Sequence, residues 1–247
     1  MLSEELAYIL NNSESRVLIT SAARLDVARM ALQSYPRIKA CLVVDCDTTE
    51  LTQHAVADTR IVSYLAVVAG LPCTLIEDEY RGAPMLYSSG TTGRPKGILR
   101  ELPEVPPAQE LPLMGFLNGL WRYRTDMIYL SPAPLYHSAP QAAVSLTVNI
   151  GGTVIIMERF DPERYLQLVE RYQVTHSQLV PTMFSRMLKL PQATRERYDW
   201  SSLEIAIHSA APCPVQVKQQ MIAWWGPIVH EYYGATEGLG FIACDSA

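Results

Sequence analysis

Short runs of β-branched and aliphatic residues alternate with helix-length amphipathic stretches along most of the chain, and this alternation narrows the fold more than any other feature. RVLIT (16–20), ACLVVD (40–45), MIYLS (127–131), TVIIM (153–157), VTHSQLV (174–180), LEIAIHS (203–209) and IVHEYYG (228–234) read as strands. Between them lie helical patterns from Ala22 to Ser34, from Pro162 to about Tyr172 behind the cap Asp161, and from Val215 to Trp225. Strand–helix alternation predicts an α/β fold with mainly parallel sheets flanked by helices on both faces. In such sheets ligands gather at the carboxyl ends of strands, so the loops there are the places to search for chemistry.

A chain of 247 residues with 49% apolar content is long enough for a sizeable core. Its net charge of −5, with no basic run, predicts no binding of nucleic acid or of anionic membrane. The charge-free stretch Ala139–Met157 approaches the length of a membrane span. Asn149, Gly151 and Gly152 interrupt it, so a buried helix followed by a buried strand is expected, with no transmembrane segment. Glu4 and Glu5 break up the start, and no secretory signal is expected. The five cysteines are scattered, without a C-x-x-C pair or histidine at zinc spacing, which fits reduced thiols in the cytoplasm. The acidic, proline-rich ELPEVPPAQELP (101–112) is expected to cross the surface rather than to divide domains.

Chemistry concentrates in four loops. YSSGTTGRPKG (87–97) combines glycines, hydroxyls and a lysine, the equipment for gripping phosphate, although a Ser/Gly/Thr cluster also describes an ordinary flexible loop. It is not a P-loop, because Pro95 rather than glycine precedes Lys96. PLYHSAP (134–140), HSAAPCP (208–214) and YYGATEG (232–238) each follow a strand and are expected on the same edge as the glycine loop. Singly they admit plain readings: a packed His137, an ordinary turn at Ser209–Pro212, a helix cap at Thr236 and Glu237.

Together they resemble the adenylate-forming superfamily of acyl-CoA synthetases, aryl-CoA ligases, luciferases and peptide-synthetase adenylation domains. MLYSSGTTGRPKGI matches that family's phosphate-loop signature, PLYH its histidine motif and YYGATEG its Y-G-x-T-E motif, and weaker similarity runs through nearly the whole chain. The resemblance implies that the chain is a central piece of the large N-terminal AMP-binding domain, residues 1–247. A leading core segment, the ribose-binding aspartate and the C-terminal lid with its catalytic lysine are then expected elsewhere.

The same resemblance implies roles. Ser88, Ser89, Gly90, Thr91, Thr92, Gly93 and Lys96 would hold the ATP phosphates, with Lys96 facing the departing pyrophosphate. Ala210, Ala211 and Pro212 would wall the adenine pocket, Tyr233 would stack on adenine and Gly234 would leave room for it. Thr236 would contact the α-phosphate, Glu237 would hold Mg²⁺, and His137 would position the carboxylate or gate its tunnel. Ser209 and Tyr232 depart from the pattern, standing where the family more often has glycine, which implies a narrower wall. The expected activity is ATP-dependent conversion of a small-molecule carboxylic acid, of the fatty type, to an acyl adenylate and then a coenzyme A thioester. An adenylating enzyme with another acceptor, such as a carrier protein, and a non-catalytic piece are the competing readings.

Overall fold

In the computed structural model, which describes residues 2–46, 59–88, 93–110, 112–237 and 240–246, the strand–helix alternation is realised in two compact units, residues 1–107 and 108–247. The division falls inside the acidic, proline-rich segment, which therefore marks a boundary between units instead of merely crossing the surface. Prolines and like charges keep such a stretch extended and poor in packing partners.

In the first unit, β1 (Val17–Ser21), β2 (Ala40–Val44) and β3 (Arg60–Ser63) form a parallel sheet in that order. Helices α1 (Ser3–Asn12) and α2 (Leu25–Gln33) pack with it through Leu10, Leu32, Ile38, Cys41 and Val43. The start of the helix expected from Ala22 to Ser34 is instead a 3₁₀ turn, Ala22–Arg24. Beyond α3 (Tyr64–Val68), β4 (Leu86–Ser88) and β5 (Lys96–Ile98) pair as a separate antiparallel ladder, with Tyr87 opposite Gly97 and Ser88 opposite Lys96.

The second unit holds a six-stranded sheet built from β6 (Ile128–Ser131), β7 (Thr153–Ile156), β8 (His176–Leu179), β9 (Ile205–His208), β10 (Val229–Gly234) and β11 (Phe241–Cys244). Their order is β11-β10-β9-β8-β6-β7, and every pairing is parallel except β10 with β11. Helices α4 (Pro112–Trp121), α5 (Ser138–Asn149), α6 (Pro162–Tyr172), α7 (Pro181–Leu188), α8 (Gln192–Arg195) and α9 (Val215–Trp225) accompany it.

Alternate strand residues feed two cores, so the sheet is covered on both faces, as alternation of strands and helices requires. On one face Met127, Tyr129, Ile205 and Ile207 pack with Trp121 and Leu146 of α4 and α5. On the other, Leu130, Leu179 and Ala206 pack with Tyr165, Phe184 and Trp225 of α6, α7 and α9. The central strands β8 and β9 are buried throughout. The charge-free stretch divides into α5 and β7 as expected, yet β7 lies at the sheet's edge and Ile156 is 55% exposed, so that strand is not buried. Helix α6 begins where its sequence directs: Asp161 Oδ1 accepts the Arg164 amide at 2.8 Å and Pro162 occupies the first turn. Among the described residues no helix is long and apolar enough to cross a membrane.

Candidate functional site

Because β6, β8, β9 and β10 are parallel neighbours, the segments after them emerge on one edge. Three of the four sequence motifs therefore meet on this edge of the second unit. The glycine loop does not share their sheet, being carried by the β4–β5 ladder of the first unit.

The histidine motif leads into α5. His137 is exposed, takes extended backbone angles before the first helical turn, and has its ring centre 4.4 Å from that of Tyr136 with the planes tilted by 48°. It is thus not a packed core histidine. Ser138 begins the helix, and its Oγ lies 3.4 Å from Thr236 Oγ1 beyond the end of β10. That contact ties the PLYH motif to the Y-G-x-T-E motif across 98 residues of sequence. Tyr233 is 79% exposed, opposite Ile242 of β11, and Gly234 after it adds no side chain at the strand's end. Thr236 and Glu237 stand in a turn, and among the described residues the next element is the strand β11.

After β9, the backbone of Ala210 takes φ 75°, a left-handed value that costs a residue with a Cβ about 1–2 kcal/mol. The strained turn lifts Ala210, Ala211 and Pro212 into exposure while Ser209 remains buried. Beneath it lie three residues that the sequence reading missed. Glu231 on β10 receives Lys218 Nζ of α9 at 2.5 Å, and His208 Nε2 on β9 stands 3.8 Å from the same carboxylate oxygen. Lys218 holds the Glu231 carboxyl below its ordinary range, whereas burial pushes His208 down despite Glu231. At neutral pH the histidine is accordingly uncharged, and its contact with Glu231 is not an ion pair. No local motif announces this group, since its members come from three separate elements.

In the first unit, Ser88 and Lys96 face each other at the open end of the β4–β5 ladder, with Lys96 exposed. Ser89, Gly90, Thr91 and Thr92 lie outside the described residues. Gly93 has φ 93°, a conformation that favours glycine. The ladder is tethered to α1, because Tyr87 donates its hydroxyl proton to Asn12 Oδ1 at 2.7 Å and the Arg94 guanidinium lies 5.3 Å from the Tyr8 ring centre.

For a divalent cation, Glu237 offers a single exposed carboxylate. Among the described residues no cluster of three or more His, Cys, Asp or Glu could hold a metal ion. One hard oxygen donor suits Mg²⁺ that brings phosphate oxygens and water with it, and Glu237 fits that use.

Comparison with known proteins extends the motif match over the whole molecule. The family model described as AMP-binding enzyme matches residues 1–247. A medium/long-chain-fatty-acid–CoA ligase of Mycobacterium tuberculosis is 32% identical over 239 residues, covering 94% of this chain and 39% of that protein. A 4-hydroxybutyrate–CoA ligase of Metallosphaera sedula is 25% identical over 247 residues, covering 96% of this chain and 42% of its own. The chain thus spans about two fifths of the length of these relatives. The ATP-bound MatB structure from Rhodopseudomonas palustris superposes with a TM-score of 0.73 at 25% identity, over 100% of this chain and 45% of that one. With a match from first residue to last, the chain belongs to the AMP-binding enzyme family.

Proposed function

We propose that this chain carries the phosphate- and acid-binding parts of an acid–thiol ligase, which activates a carboxylic acid with ATP and transfers the acyl group to coenzyme A. The observation that carries this reading is the Ser138–Thr236 contact, which sets an exposed histidine, a threonine hydroxyl, an exposed tyrosine ring and an exposed carboxylate at one sheet edge. The relatives' names support the thiol acceptor, both being CoA ligases.

In the first step a carboxylate oxygen attacks the α-phosphorus of ATP and the bond to the β-phosphate breaks. Two anions must approach, so charge neutralisation and alignment carry the catalysis. Lys96 offers its ammonium to the leaving pyrophosphate, Thr236 donates to the α-phosphate, and His137 orients the carboxylate. Tyr233 stacks on adenine against Ala210, Ala211 and Pro212. Glu237 would hold Mg²⁺, which would offset the phosphate charge. In the second step the coenzyme A sulfur, as thiolate, attacks the acyl carbonyl and AMP leaves. Five scattered cysteines without a C-x-x-C pair support a reducing, cytoplasmic setting.

Acid-dependent exchange of labelled pyrophosphate into ATP tests the first step, and acid-dependent consumption of coenzyme A the second. In the full-length natural protein, Lys96→Ala removes a charge-assisted contact made mainly as pyrophosphate departs. A cost of about 2–3 kcal/mol slows exchange roughly 30- to 150-fold. Unchanged exchange in that variant removes Lys96 from the reaction, and exchange without coenzyme A consumption points to another acceptor.

A further inference from the structure

Four polar side chains line the carboxyl ends of four adjacent strands on the face that α4 and α5 cover. Gln178 of β8 is the hub: its Nε2 donates to Tyr232 Oη of β10 at 2.8 Å and to Ser209 Oγ, just past β9, at 3.2 Å. Gln178 and Ser209 are 8% and 7% exposed. Both amide protons of Gln178 are thereby committed, which fixes its plane. The Tyr232 ring is wedged against Trp121 with ring centres 5.5 Å apart. The parallel register sets Leu130 opposite Ser177, so the next residue on β6, Ser131, stands across from Gln178. Ser131 is fully buried, and its hydroxyl has no partner among the described residues.

The same face begins at the mouth of the site. Helix α5 starts at Ser138, touching Thr236, and runs over the sheet with Ala143 and Leu146 packed into the core shared with Ile205, Ile207 and Tyr232. An acid whose carboxylate sits at the Ser138–Thr236 contact and whose chain enters the protein must pass between α5 and this face. There it meets a hydrogen-bonded tyrosine–glutamine–serine wall backed by tryptophan. Burying a long alkyl chain would require breaking both Gln178 bonds and displacing an aromatic ring, and would place methylenes against amide and hydroxyl groups.

We propose that Tyr232, Gln178 and Ser209 form a specificity-determining stop, and that the substrate class is short carboxylic acids, with medium and long acyl chains excluded. This rests on the acid-activation reading above. It departs from the fatty-acid expectation and from the chain length in the name of the 32%-identical relative. Tyr232 supplies most of the blocking volume, and Gln178 holds its hydroxyl in place.

The test uses the full-length natural protein and stable acyl-adenylate mimics, N-acyl sulfamoyl adenosines bearing acetyl, butanoyl, octanoyl or dodecanoyl groups. Calorimetric affinities are compared with kcat/KM for the free acids in pyrophosphate exchange. Butanoyl is expected to bind at least about tenfold more tightly than octanoyl, with a matching preference in exchange. Tyr232→Gly should bring that ratio to within about threefold of unity by improving octanoyl binding, and Tyr232→Phe, which keeps the ring and loses the Gln178 bond, should fall between. Octanoyl or dodecanoyl binding as tightly as butanoyl to the parent overturns the proposal, whether or not the glycine variant folds. An unchanged ratio in a folded Tyr232→Gly does so too. Discrimination among the mimics without any acid-dependent exchange upholds the stop and defeats the activation reading, whereas failure of the parent to bind any mimic overturns both.

Discussion

Acidifying the protein from neutral pH to about pH 5 should weaken its second unit through one buried histidine, His176 on β8. This residue has no solvent exposure, its Nε2 lies 2.9 Å from the Trp121 carbonyl, and its Nδ1 lies 2.8 Å from Thr175 Oγ1. A carbonyl can only accept, so Nε2 carries the proton of the neutral ring and Nδ1 accepts from the threonine. Burial, the largest influence, pushes the pKa from 6.5 to about 4, with Arg124 and Arg122 acting in the same direction and the Trp121 carbonyl and Glu204 opposing them. The folded state resists a proton that the unfolded chain takes up readily. The stabilisation from the neutral ring is therefore complete above pH 6.5 and is lost as pH falls through the window from 6.5 towards 4. At about pH 5 the difference in proton binding amounts to a loss of about 2 kcal/mol, approaching about 3 kcal/mol below the folded pKa.

Urea unfolding at several pH values and constant ionic strength measures this. The four tryptophans all lie after residue 107, at positions 121, 200, 224 and 225, so their fluorescence reports the second unit alone. His176→Gln keeps a donor and removes the titration. Its own stability at neutral pH will differ, but its decline towards pH 5 should be shallower than the parent's by about 2 kcal/mol. His208 and His230, also pushed down by burial, contribute equally to both proteins and cancel. Parallel declines in parent and variant would refute the reasoning, since they would show His176 gaining its proton as easily folded as unfolded.

Gly152→Ala should destabilise by about 1–3 kcal/mol in the same unfolding assay, because a Cβ there would lie 2.9 Å from both Met127 Cγ and Thr147 Cγ2 and 3.2 Å from the Met127 carbonyl oxygen. A loss below about 0.5 kcal/mol would show that the junction of α5 and β7 yields to the extra methyl. Glu237→Gln should raise the Mg²⁺ concentration for half-maximal pyrophosphate exchange by about tenfold or more, since an amide oxygen replaces a charged one on a hard cation. Superimposable Mg²⁺ titrations of parent and variant would remove Glu237 from the metal.

The elements most legible in the sequence carry local stop and start chemistry. Helix α6 is bounded as expected because Asp161 and Pro162 act within one turn, whereas α4 was hidden by Gly115, Gly119 and the adjoining prolines of the linker. The apolarity of TVII identified a strand but not its neighbours, and only the sheet order reveals β7 as an edge. The same limit governs the site. His137, Tyr233, Thr236 and Glu237 sit in contiguous motifs and so are legible as candidates, although an exposed His137 and a buried His176 look alike as letters. His208, Lys218 and Glu231 were not found, and Gln178 gave no hint of joining Ser209 to Tyr232, because parallel pairing, and for Lys218 a helix packed on the sheet, brings together residues distant in sequence.

The tether between the glycine-bearing ladder and α1 has a consequence of its own. A two-stranded ladder with three facing pairs is at best marginally stable by itself. Its shape is borrowed from Asn12 and Tyr8, through the Tyr87 hydroxyl and the Arg94 guanidinium. If Lys96 grips the pyrophosphate as proposed, the free energy of that grip includes whatever is needed to keep the last turn of α1 folded, and by thermodynamic reciprocity the bound anion protects that turn from fraying. Helix α1 has no assigned part in the proposed reaction, yet on that proposal it would set the affinity from a distance.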